Sequence, residues 1–202
     1  MSYAEAHPRT LILASGSPYR AELLQRLAVP FTTATPAIDE SPRPGEDPAT
    51  LVCRLAEAKA RAAGAAHADA LIIGSDQNAA HDGQILGKPG DEERARAQLG
   101  RLSGGTVTFH TGLCLLDTAT GEARVEEVPC RVTFRDLDPA EIAAYVRRDR
   151  PLDCAGSFRS EGLGISLFQR METDDPTALI GLPLIRLAAL LRDAGIAVPP
   201  RD

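Results

Sequence analysis

The residues whose types and spacing suit chemistry are a few cations and carboxylates set beside short apolar runs. The first cation lies in "LILASGSPYRAELLQRL" (Leu11–Leu27). Ser17 is a natural helix N-cap and Pro18 suits the first helical position. Arg20 is then the third helical residue, where a capping box would place Glu or Gln. A cation at a helix N-terminus is unfavourable by roughly 0.3–1 kcal/mol, because the dipole there is already positive. A bound anion reverses the sign. Free N–H groups, the hydroxyls of Ser15 and Ser17 and the Arg20 guanidinium would then converge on one phosphate, and Gly16 lets the backbone approach closely. The other reading is a surface arginine turned back into solvent.

Two acidic segments follow. "IIGSDQ" puts Asp76 just past the end of an apolar strand, and open α/β sheets bind ligands at the carboxyl ends of their strands. Asp76 is therefore a candidate metal ligand or general base, or simply the start of a turn. "AIDESP" supplies Asp39 and Glu40 after another strand. Brought together with Asp76, such carboxylates bind Mg²⁺ through oxygen, with water and substrate phosphates completing the shell. By themselves they read as a solvated loop. Leu51, Leu55 and Lys59 are spaced by four and share one helical face. Lys59 thus continues an apolar stripe, and either snorkels outward or enters a cleft to meet an anion. "GQILGKP" is not a Walker loop, because only three residues separate Gly83 from Gly87 and Pro89 follows Lys88. Lys88 is left as a lone cation on a tight loop, free to touch a phosphate.

Several chemistries are disfavoured. His7, His67, His81 and His110 are scattered, with no HExxH spacing, and no GxSxG elbow occurs. Covalent catalysis is therefore disfavoured, and direct attack by a metal-activated water fits the acids and cations better. Cys53, Cys114, Cys130 and Cys154 form no CxxC pair and read as reduced, buried filler. A net charge of −6 argues against a polynucleotide grip. Aromatic residues at 4% and no tryptophan argue against a stacking platform for single strands. No apolar run approaches the ~20 residues of a membrane span. "MSYAEAHPRT" lacks a basic segment followed by an apolar one, so the expected location is the cytoplasm.

The elements that must position these residues alternate between strand and helix. Leu11–Ala14 reads as a strand, Pro18–Ala28 as a helix and "VPFTTATP" as a strand. "AIDESPRPGEDP" reads as a loop, and Ala49–Ala63 as a helix ending at Gly64. "ALIIGSD" is a buried strand, "AAHDGQIL" a hairpin turning at Asp82–Gly83, and Asp91–Leu102 a charged helix. Residues 106–138 give two long strands joined around Thr118–Gly121, and Asp138 caps a helix that begins at Pro139. "DCAGSFRSEGLGISLF" reads as a glycine-rich loop followed by a strand, and "LPLIRLAALLRDAG" as a last helix. The fold class expected is mixed α/β, with helices covering a twisted sheet, in one domain spanning residues 1–202 with 1–8 and 196–202 peripheral.

Taken in order, "LASGSPYRAELL", "DES", "RLAEAKA", "GSDQ", "GKP", "SGGTVTFHTG", "CAGSF" and "GLP" resemble the Maf family of nucleotide pyrophosphatases over roughly Thr10–Ala194. That resemblance implies a fold like that of the inosine-triphosphate pyrophosphatases: a long curved mixed sheet flanked by helices, with two lobes and a central cleft. It implies hydrolysis of a nucleoside triphosphate to monophosphate and diphosphate with a divalent metal, Mg or Mn. By motif matching, Asp76 takes the proton-acceptor role and Ser15, Arg20, Lys59 and Lys88 the phosphate-binding roles. Glu40 becomes the acid near the metal, with Asp76 as its companion ligand. Tyr19 after Pro18, and Ser-Phe and Ser-Glu-Gly in "CAGSFRSEG", resemble the branch acting on 7-methyl-GTP. Tyr19, Gln77 and Glu161 stand at its specificity positions. A 7-methylated guanine is a cation, which suits an aromatic face and a carboxylate. Tyr19 stands where that branch has Trp, Ala21 replaces a second arginine, and Asn78 interrupts a usually apolar run. The alternatives are a dTTP/UTP or broad modified-nucleotide housecleaning enzyme, and a regulatory binding protein of cell division or septum formation. A homodimer is plausible for the family.

Overall fold

The structure is a computed structural model describing residues 9–200. The apolar run after Thr10 forms β1 (Thr10–Ala14), buried along Leu11–Ala14 as a strand covered on both faces should be. It pairs in parallel with β2 (Thr32–Ala34) on one side and β3 (Ala70–His81) on the other. The strand expected over "VPFTTATP" is thus only three residues long. β3 runs five residues beyond the expected end at Asp76, because Gln77–Ala80 keep pairing with Thr108–Thr111 of β5 (Thr106–Asp117).

The left-handed pair Asp82–Gly83 (φ 49° and 76°) turns β3 into β4 (Gln84–Leu86), as the sequence predicts. β5 pairs with β6 (Ala123–Phe134), and β6 with β7 (Phe168–Glu172). The result is an open seven-stranded mixed sheet ordered β2-β1-β3-β5-β6-β7, with β4 attached to β3.

Five helices flank it: α1 (Pro18–Gln25), α2 (Pro48–Gly64), α3 (Glu92–Leu102), α4 (Pro139–Asp149) and α5 (Leu184–Asp193). α1 stops three residues short of the expected Ala28, whose φ of 55° ends the turn that follows. Asp47, Asp91 and Asp138 cap the next three helices through carboxylate acceptors. Most of the segment read as a loop before β7 is two short 3-10 turns, Ala155–Ser157 and Leu163–Leu167.

Two apolar cores occupy one face of the sheet. Leu71 and Ile73 of β3 join Leu13, Leu23, Leu24, Leu187 and Leu191 in the first. Ala79 of β3 joins Phe109, Phe134, Leu99 and Phe158 in the second. Side chains alternate along a strand, so Ser75 and Gln77 fall on the same face between the two cores. These are the two lobes, and a cleft opens between them. A third core lies on the opposite face, where Ala56 and Ala60 of α2 cover Ile12, Ile72 and Cys114.

There the absence of two side chains matters. A Cβ on Gly74 would lie 2.0 Å from the Ala56 carbonyl oxygen, and one on Gly112 would lie 2.2 Å from that of Val52. The backbone of α2 rests directly on the sheet. Of residues 196–202, expected at the periphery, Val198 is buried in the first core and Ile196 packs against it. Residues 1–8 and 201–202 lie outside the described part. Among the described residues no helix is long and apolar enough to cross a membrane.

Candidate active site

β1 leaves the sheet at Ala14, and β4 joins it only at Ala79. Ser75–Asn78 of β3 therefore has a neighbouring strand on one side only. A cleft of about 430 Å³ opens at this place, a size typical of small-molecule sites. Tyr19, Arg20, Glu40, Lys59, Asp76, Gln77, Lys88 and Glu161 all line it. Asp76 is not past the end of its own strand, as its sequence suggests; it lies past the end of the neighbouring β1.

Arg20 does not turn back to solvent. Its Nε donates to the Gly181 carbonyl at 2.8 Å and its Nη1 to Ser15 Oγ at 3.3 Å. The same Ser15 oxygen accepts from the Ser17 N–H at 3.1 Å, and Ser17 caps α1 by accepting from the Arg20 N–H. Ser15 itself is buried and does not line the cleft; it orients Arg20. Gly181 closes the 3-10 turn Pro176–Ile180 at φ 118°, a left-handed value that favours glycine. Ser75 Oγ donates to the same carbonyl at 2.9 Å. Burial lowers the Arg20 pKa, and Asp76 and Glu40 push it back up.

Lys59 enters the cleft rather than snorkelling outward. Its Nζ lies 2.6 Å from Asp76 Oδ1 and 2.9 Å from Glu40 Oε1. The close seat of α2 on Gly74 makes this reach possible. Lys88 is exposed in the cleft wall with no carboxylate partner among the described residues. Gln77 spends its amide nitrogen on the turn, donating to the Ala178 carbonyl at 2.7 Å and the Leu179 carbonyl at 3.1 Å. Asn78, the polar intrusion into β3, is buried and donates to the Pro48 carbonyl at 2.9 Å, tying the start of α2 to the sheet. Glu161 is exposed and accepts from Ser160 Oγ at 3.0 Å.

A residue the sequence reading passed over is Arg159. It also lines the cleft, donates to the Asp149 main-chain oxygen at the end of α4, and pairs with the Asp149 carboxylate at 3.3 Å. Its pKa is raised, with the nearby Tyr19 phenol the largest cause and Asp149 adding to it. Nothing in "SFRSEG" singles this arginine out, because its partners come from α1 and α4. Phe109 and Phe158 form an apolar wall, edge to face with centroids 5.3 Å apart. Cys154 lines the cleft too, but burial pushes its thiol up to about 12, which leaves no thiolate for nucleophilic attack near neutral pH.

The donor set fits a hard divalent cation. Glu40 Oε1 and Asp76 Oδ1 converge on one point, now taken by the Lys59 ammonium. Two carboxylates with the rest of the shell from water and phosphate is the pattern Mg²⁺ adopts beside nucleotides. Among the described residues no group of three or more His, Cys, Asp or Glu forms a metal centre.

Fold and cleft together define a mixed α/β protein whose cations and paired carboxylates meet where β3 loses its neighbour β1. The family model described as Maf-like protein matches residues 10–194, and the chain belongs to that family. It is 56% identical over 198 residues to a protein of Nitrosococcus oceani named 7-methyl-GTP pyrophosphatase, covering 98% of this chain and 100% of that one. Proteins of the same name from Cupriavidus metallidurans and Pseudomonas syringae pv. tomato are 57% and 56% identical over 92% and 94% of this chain, and 93% and 99% of theirs. The Staphylococcus aureus Ham1 protein shares the fold, with a TM-score of 0.55 at 12% identity over 92% of this chain and 100% of that one.

Proposed function

We propose that this protein is a nucleoside triphosphate pyrophosphatase that hydrolyses 7-methyl-GTP to 7-methyl-GMP and diphosphate. One observation carries the reading. Arg20, held by Ser15, and the Glu40–Lys59–Asp76 cluster meet in one cleft, in a chain more than half identical to relatives of that name.

Arg20 and Lys88 hold triphosphate oxygens, and Lys59 joins them when phosphate arrives. Ser15 fixes the direction of the Arg20 guanidinium. Asp76 has one oxygen on Lys59 and leaves Oδ2 without a protein partner among the described residues. That oxygen takes the proton of a water as the water bonds to the α-phosphorus. The bond from the α-phosphorus to the oxygen bridging toward the β-phosphorus breaks, and diphosphate leaves with that oxygen. A divalent cation held by Glu40 and Asp76 would neutralise phosphate charge and favour in-line attack. At the base, the Tyr19 ring packs on the cationic 7-methylguanine and Glu161 pairs with its N1–H and amino edge. Gln77 acts on specificity through the Pro176–Ile180 turn that it holds.

Incubation with 7-methyl-GTP, GTP, dTTP and UTP, with Mg²⁺ or Mn²⁺ and with monophosphate and diphosphate measured separately, tests the reading. 7-Methyl-GTP is expected to give the highest kcat/KM, with equimolar products. Preference for dTTP and UTP would overturn the substrate, and comparable turnover of all four would favour a broad housecleaning role. Asp76→Asn is expected to lower kcat for every substrate by about 10²–10⁴. Unchanged rates would remove Asp76 from the proton-acceptor role.

A further inference from the structure

Lys59 is the cation that touches both candidate metal ligands. Its side chain is 10% exposed, and its Nζ sits 2.6 Å from Asp76 Oδ1 and 2.9 Å from Glu40 Oε1. The stem lies in the buried stripe of α2 with Leu55, Ala56 and Ala60, so the ammonium is delivered by a helix pressed against the sheet at Gly74 and Gly112. The ammonium fills the point where the two carboxylates converge. A divalent cation held by the same oxygens needs that point too, and two cations within hydrogen-bond distance repel where Lys59 and Asp76 are largely shielded from water, although Glu40 reaches in from the exposed side. A triphosphate brings several negative charges into the cleft, and the four-carbon stem can swing to follow them.

We infer that Lys59 is an internal placeholder for the divalent cation. Without nucleotide its ammonium occupies the Glu40–Asp76 pair and holds metal affinity down. Arriving phosphates draw the ammonium onto themselves and free both carboxylates, so metal and nucleotide bind with positive coupling, each raising the affinity of the other. Lys59 thereby stops a metal from settling between the carboxylates before the nucleotide arrives. The inference rests on the proposed reading of Glu40 and Asp76 as the metal pair.

The test is Mn²⁺ binding to the full chain without nucleotide, followed by the electron paramagnetic resonance of free Mn²⁺. Lys59→Met is expected to bind Mn²⁺ at least tenfold more tightly than the wild type. Equal or weaker binding by a folded Lys59→Met protein would overturn the inference, since a lysine that merely braces the carboxylates lowers metal affinity when removed. Adding Glu40→Gln to Lys59→Met is expected to abolish the gain. A gain that survives would mean that the metal sits elsewhere, which refutes the metal pair itself. Binding is read without turnover, so a failed substrate panel leaves the result intact. A second measurement uses the wild type alone. The ¹⁵N resonance of the Lys59 ammonium is expected to move during a Mg²⁺ titration as the ion pair is displaced. A resonance that stays fixed while Mg²⁺ binds would overturn the inference even if the variants fail to fold.

Discussion

Gly74→Ala tests whether the site depends on how closely α2 lies on the sheet. The added Cβ would stand 2.0 Å from the Ala56 carbonyl oxygen, and such contacts do not fall below 3.0 Å. The obstruction is backbone, so α2 must retreat by about 1 Å rather than turn a side chain aside. Overpacking of this kind costs about 1–3 kcal/mol, which in a chain of this length lowers Tm by roughly 2–12 °C. Lys59 is three residues beyond Ala56 on the same helix. Its 2.6 Å contact with Asp76 would stretch to about 3.6 Å, past hydrogen-bond range. The lysine stem can absorb part of that movement, so the expected fall in kcat/KM for 7-methyl-GTP is about 10- to 100-fold. Calorimetry and initial rates on the same preparation give both numbers. A variant with unchanged Tm and unchanged kcat/KM would refute the claim that Gly74 sets the approach of α2 and thereby the reach of Lys59.

Gly100 makes the opposite case, being exposed inside α3 with nothing within 4 Å of an added Cβ. Gly100→Ala should stabilise by about 0.5–1 kcal/mol and raise Tm by roughly 1–4 °C in the same calorimetry. Arg9 forks onto Asp117 at 2.7 and 2.6 Å and, chiefly through that hydrogen bonding, holds the carboxyl at about 2. A carboxyl depressed on folding contributes stability above its unfolded value near 3.8 and loses it as pH falls toward 2. Asp117→Asn should therefore cost about 1–2 kcal/mol at pH 7, discounted for partial exposure, and only a small fraction of that at pH 2. A gap as wide at pH 2 as at pH 7 in denaturant titrations would refute the ion-pair assignment. Glu161→Gln should lower kcat/KM for 7-methyl-GTP about tenfold, with GTP less affected, because a cationic base loses more from the missing charge. Equal loss on both substrates would remove Glu161 from recognition of the methylated base's charge.

What local pattern governs was legible in the sequence. The Asp82–Gly83 hairpin, the caps at Ser17 and Asp138 and the two long central strands all form as their residues predict. What depends on distant partners was not. Arg20 stood out as a charge at a helix start, but its direction is set by the Gly181 carbonyl, 161 residues away in the chain. Lys59 on an apolar stripe favours snorkelling to solvent over entering a cleft. The choice is made by two glycines on other elements, whose missing side chains bring α2 down onto the sheet. Arg159 left no signal at all, since Asp149 and Tyr19 meet it only in three dimensions.

Asp76 shows most clearly how the site arises. The polar turn in "GSDQ" reads as the end of a strand, yet β3 continues through it because β5 supplies ten consecutive partners from Leu71 to Ala80. The break belongs to the other edge. There β1 stops at Ala14, where Ser15–Gly16–Ser17 leads into Pro18 and the start of α1. Proline lacks the N–H needed to prolong a ladder and suits the first turn of a helix. One sequence event thus ends β1, starts α1 with Arg20 near its head, and uncovers Ser75–Asn78. Alternation along β3 sends Asp76 toward α2 and Lys59, and Gln77 toward the opposite face. With no strand alongside, a ligand at this edge meets both faces at once. The carboxyl end of β1 is therefore the origin of the cleft, and the acids and cations gathered there follow from where that strand stops.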